Sequence, residues 1–429
     1  MRLLIKNGRV IDPKNKTDGI LDVYMSGGII EEVAPGLDYS GADIEEIDAA
    51  GMIVAPGLVD MHCHLREPGQ EYKEDVASGT KSAAAGGFTS VACMPNTDPV
   101  IDNVAVVEYI KARSKSAGSV NVFPIGAITK GLRGEELAEI GALKFAGVAA
   151  VSDDGNPVSN PALMRRALEY AQTFDLPVIS HCEVKELADG AMNEGYMSTI
   201  LGLRGISRAA EEIMVSRDIL LASATKTAVH IAHVSTRGSV ALVRRAKQDG
   251  VRVTCETCPH YFSLTEDAVA GYNTNAKMNP PLRTEDDVQA IIEGLRDGTI
   301  DAIATDHAPH HSDEKNCEFD LAKNGIVGFE TAFSLGMTYL VAAKALTVNQ
   351  LIEKMTAAPA EILGINKGTL SVGRSADIAV IDPAARRTVD VSAFHSKSKN
   401  SPYDGFVLDG SIVHTIAGGK FAVRDGIVL

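Results

Sequence analysis

The chain has 429 residues, a formal net charge of −15, 45% hydrophobic residues and 23% charged residues. This length predicts one large domain plus a smaller one, with a core big enough to need no disulfide staples. The acidic balance argues against a nucleic-acid partner, which needs clustered Lys and Arg, and no run of about 18 apolar residues predicts a membrane span.

The opening MRLLIKNGRVIDP breaks its apolar run at Lys6 and Asn7, so it is too short for a signal peptide. LLIKNGRVID, GILDVYMSGG and IIEEVAPG then alternate apolar and polar positions between Gly-rich reversals, the pattern of short strands. The same texture returns in ADIAVIDP and GFVLDGSIVHTIAGGKFAVRDGIVL. We therefore expect one small β domain assembled from both ends, residues 1–54 together with 366–429. Two independent β appendages are the alternative.

The middle, residues 55–365, alternates apolar strand-like runs with helix-like stretches. Eight strands are predicted: GLVDMHCH, TSVACMPN, VNVFPIGAIT, GVAAVSDD, PVISHCE, AVHIAHVS, VRVTCETCPH and DAIATDHAPH. Between them lie helix-like segments such as NPALMRRALEYAQTF and RGSVALVRRAKQDG. Strands apolar on both faces fit a parallel sheet covered by helices, and eight such units fit a TIM (β/α)8 barrel. An open doubly wound sheet is the alternative, but no G-x-G-x-x-G follows the first strand.

Nearly every predicted strand ends in a residue able to do chemistry. The ends carry His62 and His64, Asn96, Asp153 and Asp154, His181, His233, His260, then Asp306 and His307. Barrel enzymes place their active sites at the C-terminal ends of the strands. Helix capping can explain Asp153 or Asp154, but not histidines at equivalent strand ends. His62 and His64 share one strand face, and Asp60, two residues earlier, can support them. A lone H-x-H favours a structural reading. Joined by His181, His233, Asp154 and Asp306, it matches the ligand set of a catalytic zinc site with one or two ions. Such a site lowers the pKa of a bound water from about 16 to about 7, and Asp306 beside it can move the proton.

The six cysteines, Cys63, Cys93, Cys182, Cys255, Cys258 and Cys317, are scattered through the chain. That is the pattern of reduced thiols in a cytoplasmic protein. Cys255 and Cys258 form a C-x-x-C with no second pair, so a structural role is favoured over metal binding.

The motifs PGLVDMHCHLREPGQEYKED, VACMPNT, VSDDG, ISHCE, IAHVST, ETCPHY, KMNPPLR and ATDHAPH, in this order, resemble the amidohydrolase superfamily and most closely the bacterial type I dihydroorotases. The resemblance implies a β-sandwich from both termini. It also implies reversible interconversion of L-dihydroorotate and N-carbamoyl-L-aspartate in pyrimidine synthesis. By the same resemblance His62 and His64 hold a first zinc and Asp154 is shared by two, the favoured count. His181 and His233 then hold the second, and Asp306 is both ligand and catalytic acid/base. Arg66 and Asn96, with His64, Asn279, His310, Asn324 and Gly325, are the implied substrate contacts. VSDDG carries no lysine to bridge two metals, which counts against dihydropyrimidinase and allantoinase.

A small-molecule substrate, a homo-oligomer and association with aspartate carbamoyltransferase complete the expectation. The rivals are another cyclic amidase, of hydantoinase or allantoinase type, and a non-catalytic scaffold subunit for that transcarbamoylase. For the remaining histidines, His260 is divided between support and substrate contact. His230 is read as core, His307 as pointing away, and His311 and His395 as unconnected. The polar segment 312–323 reads as a mobile lid or as a plain solvated loop.

Overall fold

The computed structural model describes residues 1–39, 41 and 43–429. The first five strands are β1 (Arg2–Asp12), β2 (Thr17–Ser26), β3 (Ile29–Ala34), β4 (Glu45–Asp48) and β5 (Ile53–Pro56). Next come β6 (Leu58–Cys63), β7 (Phe88–Cys93), β8 (Asn121–Gly126), β9 (Ala150–Ser152) and β10 (Val178–Ser180). A small pair, β11 (Met192–Asn193) and β12 (Gly205–Ile206), precedes β13 (Val229–Ile231), β14 (Val253–Thr257) and β15 (Ala302–Ile303). The chain ends with β16 (Ile378–Thr388), β17 (Val407–Ala417), β18 (Lys420–Arg424) and β19 (Ile427–Val428).

Eight strands run parallel in the order β15-β14-β13-β10-β9-β8-β7-β6. The two edges approach each other. Cys63 and His307 form a parallel bridge, and the His64 N–H donates to His307 O at 2.9 Å. Asp60 of β6 adds a side-chain tie, accepting from Thr305 N at 3.0 Å and from Thr305 Oγ1 at 2.5 Å. The result is the predicted (β/α)8 barrel. Its interior is narrowed by small residues, Ala92, Ala150, Ala232, Ala302 and Ala304, packed with Met61, Ile125 and Ile179.

The helices start where local chemistry satisfies their free N–H groups. Asp75 and Ser78 form a reciprocal cap on Val76–Ala85, and Asn160 caps Pro161–Gln172 with proline at the first turn. The observed strands are shorter than the predicted ones. The regular strands end at Ser152, Ser180 and Ile231, so Asp154, His181 and His233 sit just beyond them, although isolated bonds such as Ala232 N–H to Ser180 O carry on the contact.

The other sheet takes strands from both chain ends, in the order β19-β18-β17-β16-β5-β1-β2-β3, with β4 beside β1. The join is β5 with β16, antiparallel, pairing Ile53 with Ile381 and Val54 with Val380. Leu3, Ile5, Val23 and Met25 share one core with Leu370, Ile378, Val380 and Ile416. Among the described residues no helix is long and apolar enough to cross a membrane.

Candidate active site

Four imidazoles and two carboxylates converge at the C-terminal mouth of the barrel. Asp154 lies at their centre: its Oδ1 is 3.3 Å from His62 Nε2, 3.4 Å from His181 Nδ1 and 3.6 Å from His233 Nε2. Its Oδ2 is 3.5 Å from His64 Nε2. Asp306 Oδ1 closes the other side, 3.1 Å from His64 Nε2 and 3.7 Å from His62 Nε2. All six side chains are buried. Burial raises the pKa of Asp154, yet His62, His181 and His233 more than offset it and hold the carboxyl well below its usual range. Asp306 is likewise held down by His62 and His64 against its burial.

These residues fit a metal. His62 Nε2 is buried and makes no well-directed hydrogen bond, although Asp154 Oδ1 stands 3.3 Å away and Asp306 Oδ1 3.7 Å away. A lone pair so placed is unfavourable unless a cation sits between. The ligand atoms of His62, Asp154 and His233 lie within 4.8 Å of one another, as do those of His62, His64 and Asp306. A third group, Cys258, His260 and Asp306, meets the same spacing. Its partner in the C-x-x-C, Cys255, points the other way and donates to Thr299 O at 3.4 Å.

Beside the cluster is a cavity of about 210 Å³ walled by Arg66, Asn96, Met278, Asn279, Ala308, His310 and Asn324. Arg66 Nε donates to Pro309 O at 3.1 Å, and Nη2 lies 3.4 Å from His310 Nε2. Burial, then Arg66 and Lys73, hold His310 neutral, so its Nε2 can accept. Asn96 Oδ1 is 2.9 Å from His64 Nδ1 and orients that ring. Asn279 Nδ2 donates to Glu183 Oε1 at 2.9 Å, leaving Asn279 Oδ1 as a buried acceptor with no partner. Gly325 stands behind Asn324 with both backbone groups engaged. Its N–H donates to Lys277 O, and its carbonyl accepts from Asn400 Nδ2 and Lys315 Nζ. A Cβ at Gly325, where φ is +154°, would meet Ala308 O at 2.5 Å.

The structure redistributes the supporting roles. Asp60 holds the backbone of His62 and Thr305 rather than an imidazole. The ring of His62 is held by Glu256, whose Oε1 is 2.7 Å from His62 Nδ1. Glu256 and Glu183 are absent from the predicted site. The available signal for Glu256 was a carboxylate inside an apolar strand, in phase with Cys258. Asp153 braces a loop, accepting from Ile128 N and Thr129 N. His307 turns away and stacks on Phe329 with ring centroids 4.0 Å apart. His260 is buried, its Nε2 has no partner, and burial pushes its pKa down to about 4. A larger cavity, about 480 Å³, lies at the opposite end of the barrel, lined mainly by Leu168, Leu176, Val178, Val229, Val253 and Ile362. Its wall includes His230 but none of the six converging residues.

Residues 51–239 match the Dihydro-orotase-like family and residues 311–423 the Amidohydrolase family. The chain is 62% identical to the dihydroorotase of Acetivibrio thermocellus over 428 residues, covering 100% of both chains. It is 58% identical to that of Ruminiclostridium cellulolyticum, again covering 100% of both. The chain belongs to the dihydroorotase family. It is a cyclic amidohydrolase, an enzyme acting on cyclic amide bonds. The fold is shared beyond that family. The L-hydantoinase of Arthrobacter aurescens superimposes with a TM-score of 0.89 at 25% identity, covering 100% of this chain and 97% of the other. The dihydropyrimidinase of Brevibacillus agri gives 0.86 at 22%, covering 100% and 96%. Amidohydrolases of this superfamily are generally metal-dependent, in keeping with the clustered ligands at the barrel mouth.

Proposed function

We propose that this enzyme interconverts L-dihydroorotate and N-carbamoyl-L-aspartate within de novo pyrimidine biosynthesis, using two zinc ions. The observation that carries the reading is Arg66. A buried guanidinium in the wall of a small cavity beside the ligand cluster calls for an anionic partner, and its fork matches a carboxylate. His62, His64 and Asp306 would hold one ion, His181 and His233 the other, with Asp154 between them. Bound zinc supplies a Lewis acid and an acidified water.

The chain's own groups do the rest. Arg66, fixed by Pro309 O and His310, binds the substrate carboxylate, with Asn96 alongside. Asn279 Oδ1 accepts a ring N–H, and Asn324 closes the wall. In hydrolysis Asp306 takes a proton from the water whose oxygen adds to the ring carbonyl carbon, and gives it to the ring nitrogen as the C–N bond breaks. Cyclisation runs the same transfers backward.

Asp306→Asn, compared with wild type at equal measured metal content, should lower kcat by about 10²–10⁴-fold, the range for a lost general acid/base. Near-normal turnover at full metal content removes the role. Because proteins of this fold include hydantoinases, dihydroorotate, hydantoin and allantoin should be assayed side by side; a preference for either neutral ring overturns the substrate assignment. The reading also divides the chain into a β domain of residues 1–54 with 366–429 and a barrel of residues 55–365. It places the enzyme in the cytoplasm as a homo-oligomer, in association with aspartate carbamoyltransferase. Sedimentation of the purified chain, alone and with the transcarbamoylase, tests the assembly.

A further inference from the structure

Below the ligand cluster, inside the barrel, a carboxylate and an imidazole face each other. Glu256 on β14 and His230 on β13 are both buried. Glu256 Oε1 accepts from His62 Nδ1 at 2.7 Å, and Glu256 Oε2 is 3.5 Å from His230 Nε2. Neither Oε2 nor His230 Nε2 has a hydrogen-bond partner. The other nitrogen of His230 lies 2.8 Å from Thr254 Oγ1, which fixes the ring. A neutral imidazole carries one proton. Held at Nδ1 by Glu256, that proton leaves the His62 Nε2 lone pair facing Asp154 and Asp306. A carboxylate behind a ligating histidine fixes its tautomer and raises its basicity.

The other imidazoles lack this support. His64 Nδ1 faces the neutral amide oxygen of Asn96. His181 Nδ1 lies 2.8 Å from His233 Nε2 and 3.4 Å from Asp154 Oδ1, so neither ring is backed there by a carboxylate, and His181 Nε2 is buried without a hydrogen-bond partner. The carboxylate beside it, Glu183, stands 3.8 Å away and is engaged by Asn279. The support is therefore one-sided.

We propose that Glu256, aligned by His230, is a positioning residue that makes the His62–His64–Asp306 corner the tighter of two metal positions, so that the His181–His233 corner releases its ion first. This rests on the two-metal reading given above. The test is chelator titration of the zinc-loaded full-length enzyme, with retained metal measured directly, in wild type, Glu256→Gln, His230→Gln and His181→Asn. Glu256→Gln keeps an acceptor oxygen and removes the charge.

Wild type should lose zinc in two steps. His181→Asn should abolish the weaker step and spare the stronger. Glu256→Gln should weaken the stronger step by about 10–100-fold, the range for loss of such a partner, and leave the weaker within twofold. His230→Gln should weaken the same step by less, and it carries the test if Glu256→Gln does not fold. A single ion that survives His181→Asn and weakens in Glu256→Gln also supports the ranking. Loss of both ions in one step, or a stronger step unmoved in Glu256→Gln and His230→Gln, overturns it. If zinc-loaded wild type fails to turn over dihydroorotate, the substrate assignment falls while the order of release is still read from the titration.

Discussion

Arg66 is a charge held where charge is disfavoured, on a backbone that most residues avoid. Its φ is +61°, and two other site residues, His233 at +34° and Asp306 at +44°, are also left-handed. Each such conformation costs about 1–3 kcal/mol and persists where the surroundings over-determine it. For Arg66 those surroundings are Pro309 O and His310. Lysine keeps the charge but not the fork. Arg66→Lys should raise the KM for dihydroorotate about 10–100-fold, from the loss of a charged hydrogen bond worth about 1.5–3 kcal/mol, with a smaller fall in kcat. Steady-state kinetics with an unchanged KM would remove the carboxylate contact. At this scale the converging histidines and aspartates were legible because each ends a predicted strand. Glu256 was not, because it lies within β14 and acts through His62. Left-handed backbone at non-glycine positions leaves no mark in the residue types.

Loop elements decide how the cavity is walled. The segment 312–323 is docked, with Lys315, Phe319 and Ala322 buried. Two ammonium groups tie it down through backbone carbonyls. Lys277 Nζ donates to Phe319 O at 2.6 Å and Asp320 O at 3.0 Å, and Lys315 Nζ to Lys323 O at 2.7 Å and Gly325 O at 3.2 Å. Polar sequence hid this, because the anchors are lysines, and a lysine reads as solvated until its acceptors are known. Burial, then the neighbouring Lys277, push the Lys315 pKa down to about 7. The unfolded chain, at about 10.4, keeps that proton over the window in which the folded chain has lost it. Stability from this group therefore rises as pH goes from about 7 to about 10 and is flat below. Lys315→Met removes the effect. Urea midpoints at pH 6.5 and 9.5 should show wild type gaining on the variant at the higher pH; parallel shifts would refute it. The same scale corrects the strands. Their apolar runs were readable, but where hydrogen bonding stops depends on the neighbouring strand.

At the scale of the molecule, the sequence texture announced two β-rich ends but not their hydrogen-bonded partners. The join is β5 with β16, through Ile53, Val54, Ala55 and Pro56. Such a long-range pairing is set by register, which local alternation does not specify. Ending the chain at residue 377 would remove β16 to β19 and strip Ile378, Val380 and Ile416 from the shared core. We expect that truncation to yield no soluble, cooperatively unfolding protein, checked by soluble yield and thermal denaturation; a sharp transition near that of wild type would show that the barrel stands alone. The join also sets a timetable. Synthesis delivers β5 long before β16, and at about 5–20 residues per second the wait lasts tens of seconds. Throughout it β5 offers an open row of backbone donors and acceptors, a template for any passing strand. The nascent chain thus carries this open edge while the barrel is being made, and covers it only once β16 has emerged.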